Sequence, residues 1–407
     1  NRITAGGAYS NIEIRKKLNS SKLEKPDKAL VTEIVNGTLR NMIYIDWIIN
    51  KYSSIKEEKI SPNVKNILRS GIYQIMFLDR IPDSAVCNEN VELAKKHSNI
   101  GSSKFVNGLL RNVARNKEKI GYPDKSNMPE YLSIKYSHPI WLAQIWLKDY
   151  GADFCEELMK ANNETPPFTI RINNTRTDRQ KVQSELEKHD ITWTDGLYNG
   201  EALNIRGTSS IESLEIFKDG WFSVQDESSM LVGKVMNPSP GSFIIDVCSA
   251  PGGKASHMAE LMKNDGLILA RDIHEHKLDL INKSCSRLGI SIVKTQLFDA
   301  VKIDENHIGK ADGVLLDAPC SGLGLLRRKP DLRWKKKPSD MDELPKLQCE
   351  RLKNAAVYLK SGGVLVYSTC TLNSKENMEV VKKFLASNED FHLDNIEPFL
   401  PDNLFSP

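Results

Sequence analysis

The most constraining feature of the sequence is a short apolar run that ends in a glycine turn. Phe243–Val247 is apolar apart from Asp246, which predicts a buried β-strand. Pro-Gly-Gly follows at residues 251–253, and Ala255–Met262 has the pattern of a helix. A strand, a glycine turn and a helix make the first unit of a nucleotide-binding α/β sheet.

Taken alone, this turn has two interpretations. Glycines let the backbone pass close to a ligand, and the N–H groups at the start of the helix can face that ligand. An ordinary βα turn without a ligand is the alternative. The turn matches neither the G-x-G-x-x-G dinucleotide pattern nor the phosphate-loop pattern, so the sequence favours neither NAD nor ATP as the cofactor.

The composition is typical of a soluble globular protein of two or three domains. The 407 residues are 40% hydrophobic and 27% charged, with no signal peptide and no run of roughly eighteen apolar residues. The seven cysteines include no C-x-x-C pair, so we expect a cytoplasmic protein without disulfides, metal or a membrane partner. Four cysteines lack a motif and are predicted to be structural: Cys87, Cys155, Cys285 and Cys349.

Charge is unevenly distributed along the chain. Residues 1–130 contain 22 Lys and Arg against 14 Asp and Glu, a charge of +8 within a total of +3, so the remainder carries −5. The basic first third indicates contact with a polyanion such as RNA. A solvated helical surface is the alternative.

The first part of the chain has helical periodicity and no strand pattern. One helix is predicted over Ala29–Tyr52, and further helices begin at Pro62 and Pro82. We therefore predict an all-α helical bundle at 1–120 that binds RNA. Residues 118–130 are rich in Pro, Lys and Asn and are predicted to be a linker.

A small α+β module is predicted at 130–235, as a linker that also contacts RNA. Its strand Pro167–Asn173 carries Arg171 and Asn173, which either touch nucleic acid or face water from a sheet edge. From residue 236 to 407 the pattern alternates strand and helix, which predicts a doubly wound parallel sheet. The predicted strands of this α/β domain are 243–247, 266–271, 291–296, 312–316 and 363–367.

Three acidic residues lie at the ends of successive predicted strands. Asp272 follows the second strand, Asp299 lies a few residues beyond the third, and Asp317 closes the fourth. The carboxyl ends of parallel strands form a ligand crevice, and an acid about twenty residues beyond the glycine turn can bind a ribose. Because a carboxylate repels phosphate, an adenosine without phosphates fits better, and S-adenosylmethionine is such a ligand. A helix cap or a solvated carboxylate is the alternative for each acid alone.

Two cysteines follow the fourth and fifth predicted strands. Cys320 lies in Asp-Ala-Pro-Cys-Ser-Gly-Leu-Gly, residues 317–324, and Cys370 ends Tyr-Ser-Thr-Cys. A thiolate is a soft nucleophile that suits addition to an electron-poor ring carbon. Buried structural cysteine is the alternative, but two cysteines at the predicted crevice favour a functional pair.

These motifs resemble the Nol1/Nop2/Sun family of RNA 5-methylcytosine methyltransferases. The motifs that carry this resemblance are Asp246–Lys254, Asp317–Gly324, Arg327–Asp331, Ser368–Leu372 and Glu376-Asn377. The helical part resembles the NusB family of RNA-binding antitermination factors, in Gly7–Asn11, Asp27–Arg40, Leu68–Met76 and Phe105–Arg111. The resemblance implies a Rossmann-like class I methyltransferase that uses S-adenosylmethionine to methylate C5 of one cytosine of 16S ribosomal RNA, of the cytosine-967 type.

The resemblance also implies roles for individual residues. The cofactor loop is implied to be Cys248, Ser249, Ala250, Pro251, Gly252, Gly253 and Lys254, with Lys254 either holding the loop or facing the active site. Asp272 is implied to hold the ribose and Asp299 to lie near the adenine, while Asp317 lies between cofactor and target base. Cys370 is the implied nucleophile that adds to cytosine C6, and Cys320 assists product release. DNA cytosine methyltransferases use the Pro-Cys cysteine for attack, so this division of roles needs a direct test.

A basic loop follows the Cys320 motif. Residues 327–337 carry seven basic residues, one acid and one tryptophan, which suits phosphate contact and base stacking. The residues predicted to contact RNA are Arg327, Arg328, Lys329, Arg333 and Trp334. A solvated basic loop is the alternative. The target cytosine must be unpaired or flipped out of a helix.

Two other functions remain open at this point. The same chemistry on transfer RNA is one, and a non-catalytic RNA-binding assembly factor is the other, although the presence of Cys320 and Cys370 disfavours it. The expected partner is 16S ribosomal RNA, as free RNA or in an assembly intermediate. Members of the family have a further strand pair, so the chain is expected to be truncated or to lack that pair at Pro407.

Overall fold

The computed structural model describes residues 2–4, 6–208 and 211–404. Asn1 and Pro407, the ends of the predicted domains, lie outside these ranges. The chain divides into two compact units, each built from two stretches of sequence. They are residues 1–166 with 322–338, and residues 167–321 with 339–407.

Helices and strands are numbered in chain order. The α-helices are α1 (Ser10–Asn19), α2 (Lys25–Arg40), α3 (Met42–Tyr52), α4 (Pro62–Phe77), α5 (Asp83–His97), α6 (Ile100–Asn116), α7 (Met128–Tyr136), α8 (Ile140–Tyr150), α9 (Ala152–Ala161), α10 (Arg179–Lys188), α11 (Glu215–Lys218), α12 (Glu227–Met236), α13 (Gly253–Leu261), α14 (Glu275–Leu288), α15 (Leu332–Lys335), α16 (Asp340–Ala356) and α17 (Met378–Leu385). The β-strands are β1 (Phe168–Ile172), β2 (Thr192–Asp195), β3 (Ala202–Arg206), β4 (Phe222–Val224), β5 (Phe243–Asp246), β6 (Leu267–Asp272), β7 (Val293–Leu297), β8 (Ala311–Asp317) and β9 (Leu359–Ser368).

The first unit is helical, and its core is formed by the periodic apolar positions of α3, α4, α5 and α6. The fully buried residues include Ile45, Ile48, Leu68, Ile72 and Leu110. Helix α4 begins at Pro62, where Ser61 Oγ accepts a hydrogen bond from Val64 N, and α5 begins directly after Pro82. The predicted all-α bundle is confirmed.

The single helix predicted over Ala29–Tyr52 is wrong, because the structure divides it at Asn41 into α2 and α3. The Asn41 backbone N–H and the Asn41 side-chain amide both donate to Gly37 O, at 3.1 and 2.9 Å. A side chain that bonds the backbone one turn earlier competes with the helical ladder and favours an end there. The apolar period continues across the break, so periodicity alone does not reveal it.

The predicted linker is shorter in the structure than in the sequence analysis. Helix α7 begins at Met128, and α7 to α9 extend the first unit to Pro166. Trp146 of α8 is fully buried, which explains why these helices pack into a core rather than connect domains. The compact units therefore divide the chain differently from the predicted boundaries at 120, 130 and 235.

The second unit begins with an antiparallel sheet of order β2-β3-β1-β4. Strand β1 pairs with β3 on one side and β4 on the other, so it is not an edge strand. Arg171 and Asn173 are both fully buried, and Asn173 Nδ2 donates to Gly220 O and Leu288 O at 3.0 Å. Neither nucleic-acid contact nor exposure to water describes these two residues, so both earlier interpretations are wrong.

The second sheet is parallel throughout, with the order β7-β6-β5-β8-β9. Its two faces are covered by helices, since Ile244 belongs to a core cluster with α13 and α14, whereas Ile245 packs with α16 and α17. This is the predicted doubly wound, Rossmann-like sheet, and its architecture is confirmed.

Arg171 joins the antiparallel sheet to helix α13 of the parallel sheet. Its guanidinium bonds both carboxylate oxygens of Glu260, at 2.7 and 3.0 Å, and contacts Gln225, Gly253 O and Ser256 Oγ. Burial raises the pKa of Glu260, while the adjacent Arg171 opposes that rise. A buried pair with this geometry strongly destabilises the fold when one partner is removed.

We expect Arg171→Met to lower the free energy of unfolding by about 3–5 kcal/mol, because the Glu260 carboxylate stays buried without its partner. Urea unfolding measures the loss. The double variant with Glu260→Met should recover most of it, since two apolar side chains then replace the pair. Lys181→Met, which removes an exposed ion-paired lysine, is the control and should cost less than about 1 kcal/mol. Equal losses in the single and double variants would contradict this explanation.

Candidate active site

The candidate site lies at the carboxyl edge of the parallel sheet. Strand β5 leads into the glycine turn, β6 ends at Asp272, β8 ends at Asp317, and β9 ends two residues before Cys370. Because the strands are parallel, these ends meet at one edge, on both sides of the central strand β5. The residues that were predicted separately from strand ends are therefore brought to one edge.

The glycine turn is shaped by Gly252, the residue before helix α13. Its φ is +94°, its N–H donates to Ser249 O at 2.7 Å, and Ser249 N donates to Arg271 O at 2.8 Å. A Cβ on Gly252 would lie 3.1 Å from Ile281 Cγ2, so only glycine fits here without a shift. The turn directs the N-terminus of α13 toward the strand ends, as a cofactor loop requires.

Two groups next to this loop have raised pKa values. Burial, with a contribution from the nearby Asp317 charge, raises the pKa of Asp246 to about 7. Burial also raises the pKa of the Cys248 thiol to about 12. The thiolate is the nucleophilic form of cysteine, so Cys248 is unsuited to attack, and its position suits packing against a ligand.

Asp272 and Asp299 lie at or just beyond the ends of the neighbouring strands β6 and β7. Asp272 is the last residue of β6 and nearly buried, and its Oδ1 accepts from His274 N at 3.0 Å. Asp299 follows β7 by two residues, and its Oδ1 accepts from Val301 N at 3.2 Å. Each of these bonds uses only the Oδ1 atom and holds the carboxylate at the strand end, an arrangement compatible with the hydroxyl groups of a ribose.

Asp317 is held by two hydrogen bonds. Lys254 Nζ donates to its Oδ2 at 2.6 Å, and Ser368 Oγ donates to its Oδ1 at 2.8 Å. Lys254, at the start of α13 directly after the glycine turn, therefore contacts the carboxylate at the end of β8. The charge-assisted bond from Lys254 orients Asp317 and links the turn to the loop that carries Cys320.

The sulfur atoms of Cys320 and Cys370 are 3.1 Å apart. This separation exceeds the ~2.0 Å of a disulfide bond, so the two residues are thiols in contact. Cys370 N also donates to Cys320 Sγ at 3.3 Å, and Cys370 is exposed. The structure thus brings together two cysteines that are fifty residues apart in the chain. Of the four cysteines predicted to be structural, Cys87, Cys155 and Cys285 are buried and Cys349 is half-buried.

The basic segment 322–338 belongs to the first unit, where Arg333 is 1% exposed. Its Nη1 donates to Arg40 O, Ser137 O and Asn163 Oδ1, at 2.9–3.1 Å. Burial lowers the pKa of Arg333 to about 9. The prediction that Arg333 contacts RNA is wrong, because its guanidinium is enclosed and its terminal nitrogens donate to protein oxygens.

The other residues of the basic segment differ in exposure. Trp334 is half-buried, and its Nε1 donates to Leu39 O at 3.0 Å, so the polar end of its ring is already engaged. Arg327 Nη2 donates to Thr165 O at 3.0 Å, Arg328 is half-buried, and Lys329 is exposed. Arg327, Arg328 and Lys329 stay predictions for RNA contact, as does stacking on Trp334.

Three family models match successive parts of the chain. The NusB family matches residues 3–115, a ferredoxin-like domain of RsmF/B-like methyltransferases matches 138–212, and 16S rRNA methyltransferase RsmB/F matches 233–404. These matches follow the order in which the bundle, the antiparallel sheet and the parallel sheet occur.

Similar proteins cover nearly the whole chain. A probable ribosomal RNA small subunit methyltransferase B of Bacillus subtilis is 38% identical over 98% of this chain and 89% of its own length. The ribosomal RNA small subunit methyltransferase B of Escherichia coli O127:H6 is 32% identical over 91% of this chain and 85% of its own. The chain belongs to the ribosomal RNA small subunit methyltransferase B family. The resemblance stated from the motifs is thereby confirmed.

Solved structures agree with membership of the methyltransferase B family. The crystal structure of PH0851 has a TM-score of 0.79 and 27% identity, and the match covers 96% of this chain and 88% of that one. The structure of NSun6 from Pyrococcus horikoshii with SFG, an analogue of S-adenosylmethionine, has a TM-score of 0.57 and 25% identity, over 61% and 88% of the two chains. The predicted cofactor, S-adenosylmethionine, is confirmed, and the loop, Asp272 and Asp299 have the chemistry to hold it.

Two features are absent from the residues that the structure describes. None of their helices combines the length and the apolar character that a membrane span needs. The same residues contain no group of three or more His, Cys, Asp or Glu side chains that could hold a metal ion.

We expect Gly252→Ala to weaken S-adenosylmethionine binding about tenfold, the equivalent of the ~1–2 kcal/mol cost of a left-handed backbone at a residue with a Cβ. The added Cβ also contacts Ile281, so the loop must shift. Gly241→Ala is a matched control, because Gly241 has a φ of +82° but nothing within 4 Å of its Cβ. This control should lose stability and keep its affinity in calorimetric titration. Equal affinity in both variants would contradict a cofactor role for the turn.

The raised pKa of Asp246 predicts a pH-dependent stability. From about pH 4 to 7 the folded protein keeps this proton while the unfolded chain releases it, so stability falls as pH rises through that window. Asp246→Asn cannot titrate. Its stability relative to the unmodified protein should therefore rise by up to about 1.4 kcal/mol per pH unit and level off above about pH 7. A constant difference in urea unfolding across this range would show that Asp246 does not hold the proton.

Proposed function

We propose that this protein transfers a methyl group from S-adenosylmethionine to C5 of a cytosine in 16S ribosomal RNA, through a covalent bond between Cys370 and cytosine C6. The observation that carries the proposal is the contact between the Cys320 and Cys370 sulfurs, beside Asp317, at the carboxyl edge of the parallel sheet. The ribosomal RNA named for the relatives supports the substrate class.

The covalent step is needed to activate cytosine C5 for methylation. Cytosine C5 is a poor nucleophile, and addition of a thiolate at C6 makes it electron-rich. Cys370 is the exposed member of the pair and is therefore the thiol that a base can reach. S-adenosylmethionine supplies the electrophilic methyl group to which C5 then bonds.

Three side chains of this protein have roles in the remaining steps. Asp317, fixed by Lys254, accepts a hydrogen bond from the cytosine and holds the ring in place. After methylation a general base removes the C5 proton. The electrons of that C–H bond re-form the C5–C6 double bond, and the Cys370–C6 bond breaks. Cys320 contacts the leaving sulfur and assists this release by protonating it as a thiol donor.

RNA binding is assigned to two basic regions. One is the helical bundle, whose stretch 1–130 carries a charge of +8, and the other is Arg327, Arg328 and Lys329. The target cytosine must be unpaired or flipped to reach Cys370. Recognition of free 16S RNA or an assembly intermediate in the cytoplasm completes the proposal.

Cysteine variants test the proposed roles directly. Cys320→Ala and Cys370→Ala proteins are incubated with 16S RNA and S-adenosylmethionine and run on a denaturing gel. We expect a covalent RNA–protein adduct with Cys320→Ala, since release is blocked, and none with Cys370→Ala. The reverse pattern would exchange the roles of the two cysteines.

The substrate is identified by the same proteins. Bisulfite sequencing of 16S and transfer RNA, treated with the unmodified protein, should find one protected cytosine in 16S RNA. Protection in transfer RNA instead would move the activity to that substrate. No methylation and no adduct on any RNA would favour a binding factor without catalysis.

A further inference from the structure

The carboxylate of Glu376 lies inside the second unit, between the loops that carry the two cysteines. It is fully buried and ends a short 3₁₀ turn, Ser374–Glu376, that follows the Cys370 loop. No step proposed above uses this residue. A buried carboxylate is costly unless several donors satisfy it, so its partners indicate what it stabilises.

Four donors point at the two oxygens of Glu376. Oε2 accepts from Ser321 N at 2.8 Å and from Gln348 Nε2 at 2.9 Å. Oε1 accepts from Ser321 Oγ at 2.5 Å and from Asn373 Nδ2 at 3.0 Å. An ionised carboxylate accepts only, so this set of donors matches its hydrogen-bonding capacity.

Ser321 carries the connection onward to the second cysteine loop. Its Oγ lies 2.7 Å from Thr371 Oγ1. Because the Ser321 hydroxyl gives its one proton to Glu376, Thr371 must be the donor in this second bond. Ser321 directly follows Cys320, and Thr371 directly follows Cys370, so the residues next to both cysteines are joined directly, and Ser321 is held in turn by the Glu376 carboxylate.

Two further hydrogen bonds hold these loops near Glu376. Gln348 Nε2, which donates to Glu376, also donates to Pro319 O at 3.0 Å, so Cys320 is held on both of its sides. Tyr367 of β9 donates its hydroxyl to Glu376 O at 2.7 Å, shortly before Cys370. The residues that flank the two cysteines are thus held by a buried hydrogen-bond network.

We propose that Glu376 is a positioning residue that, through Ser321 and Thr371, sets the separation of the Cys320 and Cys370 sulfurs. The inference rests on the roles proposed above for these cysteines and adds a reason for their geometry. Addition and release act on one base, so both thiols must be held against the same ring. A loop displaced by even about 1 Å can slow such steps about a hundredfold.

The test measures the thiol pair without any RNA. Diamide takes two electrons and two protons from two thiols and joins them as a disulfide, at a rate that depends on how close they lie. Ser321→Ala and Thr371→Val remove only the linking hydroxyls, and Glu376→Gln removes the charge. The Cys320–Cys370 disulfide is followed by alkylation and peptide mass spectrometry in the full-length protein, with thermal melting and S-adenosylmethionine affinity as checks of folding.

Ser133→Ala is the matched control, because Ser133 is a buried serine of the first unit that donates one hydrogen bond, to His138 O at 2.6 Å. We expect this control to form the disulfide at the unmodified rate. Ser321→Ala and Thr371→Val should form it at least about tenfold more slowly and lose kcat in proportion, with KM for S-adenosylmethionine unchanged. If Glu376→Gln fails to fold, the two hydroxyl variants still decide the question.

The outcomes separate this inference from the proposed function. An unchanged disulfide rate in folded Ser321→Ala and Thr371→Val proteins would overturn the positioning role, even if methylation requires both cysteines. A slowed disulfide rate together with an adduct in Cys370→Ala would support positioning and refute the assigned nucleophile. A raised KM for S-adenosylmethionine, with kcat and the disulfide rate unchanged, would also overturn the inference.

Discussion

Parallel pairing of the central strand β5 with β6 and β8 is the constraint on which the site depends. It aligns Asp246 with Ala270 and Leu315, so the residues that follow each strand emerge at one edge. The glycine turn, Asp272, Asp317 and the cysteine loops are distant in sequence and become neighbours only through this register. Because helices cover both faces of the sheet, that edge is where its side chains remain available to a ligand.

The same register explains why much of the site was predictable from sequence. Buried parallel strands are short apolar runs, and the residue at the end of such a run has a defined place without knowledge of the strand order. Asp272, Asp317 and Cys370 were found in this way. Glu376 and Ser321 were not assigned roles, since their contact joins residues 55 positions apart and no local pattern encodes it. The end of helix α2 was missed for a different reason, because the Asn41 side chain bonds Gly37 O where the helix ends while the apolar period continues.

Composition does not show which arginines are exposed to RNA and which are buried in the protein. Arg333 looks like its basic neighbours in sequence, yet its guanidinium meets carbonyl groups at the C-terminal end of α2 and directly after α7. Helix C-termini expose unsatisfied carbonyls with partial negative charge, so they can hold a buried cation without a carboxylate. Arg171 is likewise buried, but it is paired with Glu260. Charge along the chain predicts attraction to RNA, whereas the fold decides which cations are exposed to provide it.

Residues 322–338 belong to the first unit, whereas Ser321 before them and Ser339 after them belong to the second, so Cys320 lies close to the start of this segment. Within the first unit the segment is held by Arg333 and by Asp331, which accepts hydrogen bonds from Ser10 N and Oγ at 3.3 and 2.7 Å. The bonds from Ser321 to Glu376 hold the last residue of the second unit before this segment. A buried carboxylate at this point therefore fixes the Cys320 loop where the chain leaves the parallel sheet, because its donors come from Ser321, Gln348 and Asn373 of the same unit.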